Sequence, residues 1–509
     1  MSEPLSLPER AGRAAVWNVL ALGTLAVLTF ATGILIARTL SKEEFGAYGR
    51  FIALVPTILA AIDLGLSASV PKFAAAATAE GGRRGLLRLL GFMAGLKLLL
   101  LGVVGFLVLI AGAPVARFLG LPESAPTWFL SVVILVACLD LLSDVCQQGL
   151  ATMFAQGMLS AIRVAESITL SGLLIALVLA GQGVRGVLWA FVGASALKMT
   201  LSGACLMLRT RSMPAGAAIP MAPVLPRLAR HAATSYAAKW TAYLAAPAFG
   251  TLVLGATSSE ATVANFALVG DLVFKATELA TSPVNFLLLS IFAHLVLLED
   301  RAPVRRAFSV LIKVYAIALI PSMVGLVTLA PALFEVLYKG KYADAVPFFQ
   351  VLTGFVFVEL VFYPVASSAM ISAERYRAFL ASRLPIVFAA ILAPTVVREA
   401  GPLAAVAVLA GSRVVSVALL LGAARRLLGA TLPAAHLARQ VVVATLLAVP
   451  LWFLVRSVSP GPMLLVGAIL GYAALFLAIS KATGGIGAED RAALADMRIP
   501  FKRVLLWLF

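Results

Sequence analysis

Residues 89–112 read LLGFMAGLKLLLLGVVGFLVLIAG, with Lys97 the only charge in the run. A helix rises about 1.5 Å per residue, so this stretch covers roughly 36 Å, enough to cross a hydrocarbon layer about 30 Å thick. It is apolar on every face, which suits lipid and not a half-wetted surface. Arg83, Arg84 and Arg88 precede it, and Pro114 and Arg117 follow.

On either side of this run the same pattern recurs along the whole chain. Spans are predicted near 15–37, 46–70, 89–112, 126–149, 163–182, 186–207, 233–254 and 262–285, then near 308–332, 347–372, 382–398, 402–424, 441–456 and 461–480. The fold class is therefore an all-α integral membrane protein with about fourteen transmembrane helices. The run 262–298 is too long for one span, so Pro283 is expected to kink or end its helix, with 285–298 lying along the cytoplasmic surface. Composition agrees: 62% of the 509 residues are hydrophobic and 12% charged, against roughly 25% charged in a soluble domain. Mean hydropathy is +1.03.

The net charge of +17 does not point to nucleic acid, because the basic residues sit in short loops between apolar runs. They alternate in the way that sets topology, with roughly three on inside loops for each one outside, Arg163 counting among the inside ones. The alternation puts both termini in the cytoplasm, and the location expected is the cell (inner) membrane. Met1 to Arg13 is polar and no cleavage site closes the first apolar run, so the first helix reads as an uncleaved insertion signal. Ser41 and Glu44 form a capping-box pattern at the second helix. The tail from Ala488 to Phe509 reads as an interfacial anchor, and Gly484-Gly485-Ile486-Gly487 as a hinge.

The two halves repeat at a nearly constant offset. Arg83-Arg84 matches Arg305-Arg306, Pro114 matches Pro331 as helix closers, and Phe45-Gly46-Ala47-Tyr48 matches Val263-Ala264-Asn265-Phe266. Each pair has the same in/out sense, so the repeat is parallel, and the substrate site is expected between the halves near the midplane. The organisation expected is a six-helix lobe over 1–218, a second over 219–432, and two further helices with the tail over 433–509.

Fourteen ionisable residues fall inside the spans. The bases are Arg50, Lys97, Lys198, Lys239, Lys275, Lys313 and Arg413. The acids are Asp63, Asp140, Asp144, Glu166, Asp271, Glu278 and Glu359. Each costs about 2.5–3.5 kcal/mol if it faces lipid at mid-depth, so the deep ones must face protein or water. Asp271, Lys275 and Glu278 stack on one helical face. With Lys239, Trp240 and Tyr243 on the seventh helix and Arg50 and Asp63 on the second, they make a candidate cavity for an anionic, sugar-bearing head group. Lys239, Lys275 or Arg50 would meet phosphate, and Trp240 and Tyr243 would stack on sugar rings. The competing reading is a set of internal salt bridges.

No phosphate-binding glycine loop and no H-E-x-x-H pattern is present. His231, His294 and His436 are scattered, and Cys138, Cys146 and Cys205 form no C-x-x-C pair. No enzyme, metal or cofactor is expected.

Three stretches carry a family resemblance: Ile36-Ala37-Arg38-Thr39-Leu40-Ser41-Lys42-Glu43-Glu44-Phe45-Gly46-Ala47-Tyr48, then Asp63-Leu64-Gly65-Leu66, then Leu337-Tyr338-Lys339-Gly340-Lys341-Tyr342-Ala343-Asp344-Ala345. The chain resembles the polysaccharide-type flippases of the multidrug/oligosaccharidyl-lipid/polysaccharide (MOP) exporter superfamily, to which the O-antigen flippases belong. The resemblance implies two six-helix lobes forming a V, with two added C-terminal helices. It implies flipping of an undecaprenyl-diphosphate-linked oligosaccharide for lipopolysaccharide or exopolysaccharide synthesis. The partners implied are that lipid-linked oligosaccharide, membrane lipids, and the polysaccharide polymerase and glycosyltransferases of the same pathway. The alternative is a cation-coupled multidrug or small-molecule antiporter of the same fold.

Overall fold

The computed structural model describes residues 28–110, 112, 114, 127–153, 155–216, 225–296, 301–457 and 461–483. The tail after 483, including the expected hinge and anchor, lies outside them. Every regular element among these residues is a helix. In chain order they are α1 (Leu28–Thr39), α2 (Lys42–Ile62), α3 (Leu66–Ile110, broken at Gly82), α4 (Thr127–Thr152), α5 (Gln156–Leu179), α6 (Gly183–Arg211), α7 (Leu225–Ala245) and α8 (Pro247–Thr257). There follow α9 (Glu260–Val296), α10 (Ala302–Tyr338), α11 (Val346–Ser372), α12 (Tyr376–Ser382), α13 (Leu384–Ala400), α14 (Pro402–Leu428), α15 (Ala434–Ser457) and α16 (Pro462–Ala482). Eleven helices among the described residues are long and apolar enough to cross a membrane, so the protein is multi-pass. The exact count of fourteen is not reached by that measure.

The chain divides into two compact units, Met1–Ala267 and Leu268–Phe509. The internal repeat is written in the helix starts. α2 and α9 begin at 42 and 260, and the second stretch of α3 and α10 at 83 and 302. α4 and α11 begin at 127 and 346, α5 and α12 at 156 and 376, and α6 and α14 at 183 and 402. The displacement along the chain is almost the same for every pair.

Four sequence expectations change. The second span does not run unbroken to 70: α2 stops at Ile62, and Asp63-Leu64-Gly65 turn the chain before α3. The seventh span is two helices, because Pro247 starts a new one after the extended residue Ala246. Pro283 does not end α9, which continues to Val296. Pro331 does not close α10, which runs on to Tyr338. Proline removes the hydrogen bond to the carbonyl four residues earlier, here that of Val327. The side chain of Gln350 on α11 donates to that carbonyl at 3.1 Å, so the helix passes the proline with no acceptor stranded.

The resemblance motifs have local causes. Ser41 Oγ accepts from Glu44 N–H and the Glu44 carboxylate accepts from Ser41 N–H, which completes the capping box. A Cβ at Gly46 would stand 2.8 Å from the Glu260 carbonyl oxygen, so the glycine lets α2 approach the first turn of α9. At the end of α10, Lys339 (φ 52°) and Gly340 (φ 76°) reverse the chain and seat the buried Tyr342 edge-on to Tyr338, 5.5 Å between ring centres.

Candidate functional site

Lys97 on α3, Asp140 on α4, Glu166 on α5 and Lys198 on α6 stand near the middle of their helical stretches. Mid-helix is mid-membrane, the depth where charge is most expensive. One apolar cluster of the first unit includes Leu89, Met93, Leu150 and Leu206, and a second includes Phe51, Leu101, Ala137 and Leu188. Along α3, α4 and α6 the charged residues fall between the two clusters, as a polar layer.

That layer is held by ion pairs. Lys198 Nζ lies 2.7 Å from Asp140 and 2.6 Å from Glu166. Lys97 Nζ lies 2.7 Å from Asp63, 3.4 Å from Asp144 and 2.8 Å from Ser67 Oγ. Lys239 on α7 reaches the other oxygen of Asp63 at 2.9 Å. These residues, with Ser143, Gln147, Gln148 and Arg163, line a cavity of about 600 Å³. Four bases (Lys97, Arg163, Lys198, Lys239) face four acids (Asp63, Asp140, Asp144, Glu166), so the described lining is balanced and not cationic. Low dielectric is the reason: an ammonium at this depth is retained only beside a carboxylate. Chemically, the lining offers carboxylates, amides and hydroxyls to sugar hydroxyls, and half-exposed cations to an anion.

Asp63 reaches the layer because α2 is broken there. Leu64 (φ 49°) and Gly65 (φ 76°) both take left-handed backbone conformations. A Cβ on Gly65 would lie 2.1 Å from the Ala232 carbonyl oxygen of α7, so glycine alone fits that approach. The break leaves carbonyls at the end of α2 without helical partners. The Tyr236 hydroxyl donates to one of them, Ala61, at 3.0 Å.

Of the residues proposed from sequence, Asp63 and Lys239 meet in this cavity. Arg50 is buried elsewhere in the same unit, paired with Glu260 and donating to the Gly255 carbonyl at 3.3 Å. Trp240 stands edge-on between Tyr236 and Tyr243, at 6.0 and 5.3 Å between ring centres, and the Tyr243 hydroxyl bonds Thr57. Asp271 and Lys275 pair with each other along α9 at 2.6 Å, both in the second unit. The Glu278 side chain lies outside the described residues. Lys97, Asp140, Asp144, Glu166 and Lys198 are legible in the sequence as intramembrane charges but not as one site. The signal for it is the polar stripe Asp140, Ser143, Asp144, Gln147 on one face of α4.

The second unit carries a related group in buried form. Glu359 at the middle of α11 pairs with Arg413 of α14 and with Arg383 at 3.5 Å. Arg383 also donates to Ser416 and lies 4.5 Å under the Tyr363 ring. In the register of the helix starts, Asp140 answers to Glu359 and Arg163 to Arg383, while Lys198 answers to Arg413 about one helical turn out of step. The repeat therefore extends from helix starts to acid, arginine and second base. Glu359 and Arg383 are each 2% exposed, while their counterparts line a cavity.

The sequence profile of the family described as "Polysaccharide biosynthesis protein" matches residues 35–347. No curated protein matches the chain by sequence. Among solved structures it is similar to a lipid II flippase MurJ in an inward closed conformation, at TM-score 0.73 and 13% identity, covering 92% of this chain and 98% of that one. It is similar to an inward-facing multidrug resistance MATE family transporter of the MOP superfamily, at TM-score 0.59 and 16% identity, covering 80% and 94%. A MATE structure in a bent conformation gives 0.55 and 16%, covering 83% and 96%. With that profile match over more than half of its length, and an architecture similar to those of the MurJ and MATE structures, the chain belongs to the polysaccharide biosynthesis protein family.

Proposed function

We propose that the protein is a flippase that moves a polyprenyl-diphosphate-linked oligosaccharide from the cytoplasmic to the outer leaflet by alternating access, without making or breaking covalent bonds. The observation that carries this reading is the charge-balanced cavity at mid-membrane depth in the first unit. Eight charged groups around one open cavity in the membrane-spanning part of the unit are costly to keep, and a polar substrate that must pass gives them a use. The parallel repeat of helix starts supports a transporter plan with lobes near 1–218 and 219–432 and an appendix over 433–509.

In this reading Asp144 (44% exposed) and Lys239 (42% exposed) are the accessible partners. Their buried partners, Lys97 and Asp63, hold them in place. Sugar hydroxyls would take the carboxylate and amide positions of Asp144, Gln147 and Gln148. Both termini would be cytoplasmic, in the inner membrane, and glycosyltransferases and a polymerase of the same pathway would supply and consume the substrate.

The test is a deletion strain in which polyprenyl-linked glycans are extracted and assigned to a leaflet. Cytoplasmic accumulation, relieved by wild type and not by a D144N/K239A double variant, supports the flippase. Normal surface glycan with no trapped intermediate sinks it and favours the antiporter, which a drug-resistance phenotype on overexpression would then identify.

A further inference from the structure

Arg163 and Arg383 occupy equivalent places in the repeat, each in the helix that opens at 156 in one unit and 376 in the other or at its end, and their surroundings differ. Arg383 is 2% exposed, bonded to Glu359 and Ser416, and covered by the Tyr363 ring. Arg163 is exposed and lines the first unit's cavity, and no described residue hydrogen-bonds it or forms an ion pair with it. The reason is visible in the neighbours. In the second unit one acid is shared by two arginines. In the first, Lys198 forms ion pairs with both Asp140 and Glu166, and Arg163, three residues before Glu166 on α5, acts on that carboxylate across space without an ion pair among the described residues. It stands two turns into α5, between the start of that helix and the mid-depth layer.

We infer that Arg163 is the residue that receives an oxyanion of the transported head group. This rests on the reading that the cavity admits that head group. A guanidinium presents a planar fork that matches a phosphoryl or carboxylate group with two parallel hydrogen bonds, and one with its fork open to a polar cavity is set up to do so. The other three cations of the lining each hold a carboxylate already, so an anion would have to displace one. At Arg163 no ion pair among the described residues has to be broken. Two sources fit this chemistry: the diphosphate linkage, or an acidic sugar of the glycan.

The experiment is calorimetric titration of the purified full-length protein in detergent with inorganic pyrophosphate and, separately, with glucuronate. Wild type is expected to bind at least one, and R163Q to bind it about tenfold more weakly or worse. R163K, which keeps the charge and loses the fork, should fall between, and R425Q, an exposed arginine of α14 outside the cavity lining, should stay near wild type. Binding of pyrophosphate alone assigns the diphosphate, and of glucuronate alone an acidic sugar. Wild type binding neither, or R163Q binding as wild type does, overturns the inference. Because Arg163 is exposed, both variants should keep the wild-type elution profile, and R163K serves if R163Q does not. The flippase reading is judged separately: trapped glycan in the deletion strain with full rescue by R163Q would sink Arg163 alone. An absence of trapped glycan would sink the flippase and leave the titration standing.

Discussion

The Lys97 ammonium stands 2.7 Å from the Asp63 carboxylate, and the side chains are 5% and 3% exposed. Removing one member of such a buried pair strands the other, at about 3–5 kcal/mol. Asp63→Asn should therefore lower the thermal unfolding temperature in detergent sharply. A D63N/K97M double variant should recover much of the loss, because it removes both charges. A double variant no more stable than D63N would show that the pair is not what holds α2 to α3.

Asp144→Asn should behave differently. Its side chain is 44% exposed and Lys97 keeps Asp63, so stability should change by less than about 1 kcal/mol. Glycan export should nevertheless fall. An export rate equal to wild type would remove Asp144 from the transport path.

In the second unit, Glu359→Ala leaves Arg383 and Arg413 without their shared carboxylate. The expected outcome is loss of monodisperse protein on size-exclusion chromatography. Wild-type yield and unfolding temperature would contradict the structural role given to this triad.

Gln350→Leu removes the donor to the Val327 carbonyl beside Pro331. A fully buried acceptor left unpaired costs about 1–3 kcal/mol, and this half-buried one should cost toward the lower end, about 1 kcal/mol. A fall in unfolding temperature, with the surface position S322A on the same helix as control, checks this.

Gly65→Ala should abolish folded protein, since its Cβ would sit 2.1 Å from the Ala232 carbonyl oxygen at a φ of +76°. By contrast Asp271→Asn should cost no more than about 0.5 kcal/mol, because that pair lies within one helix and its acid is 44% exposed. Equal losses in the two variants would mean that the approach of α7 to the α2–α3 joint is not tight.

Much of the fold is legible without coordinates, because lipid enforces simple rules. Apolar runs such as 89–112 must be helices, since a backbone in hydrocarbon has to bond to itself. The capping box at Ser41 and Glu44 is local chemistry, readable from four residues. The prolines mislead for the same reason that the capping box is legible. Pro331 looks like a terminator locally, and its rescue by Gln350 comes from another helix.

The chain read alone establishes a many-helix membrane protein whose deep charges must be shielded, and it points to a repeat of its two halves. Which charges meet is a property of the folded molecule. Asp63 found Lys97 and Lys239 because the chain breaks at Gly65, while among the described residues Asp271 pairs with Lys275 on its own helix. Hydropathy fixes the depth of a side chain along a helix, but its bearing around the bundle is set by packing against neighbours distant in sequence. The contrast between Arg163, open to a cavity, and Arg383, sealed under Tyr363, is of that second kind.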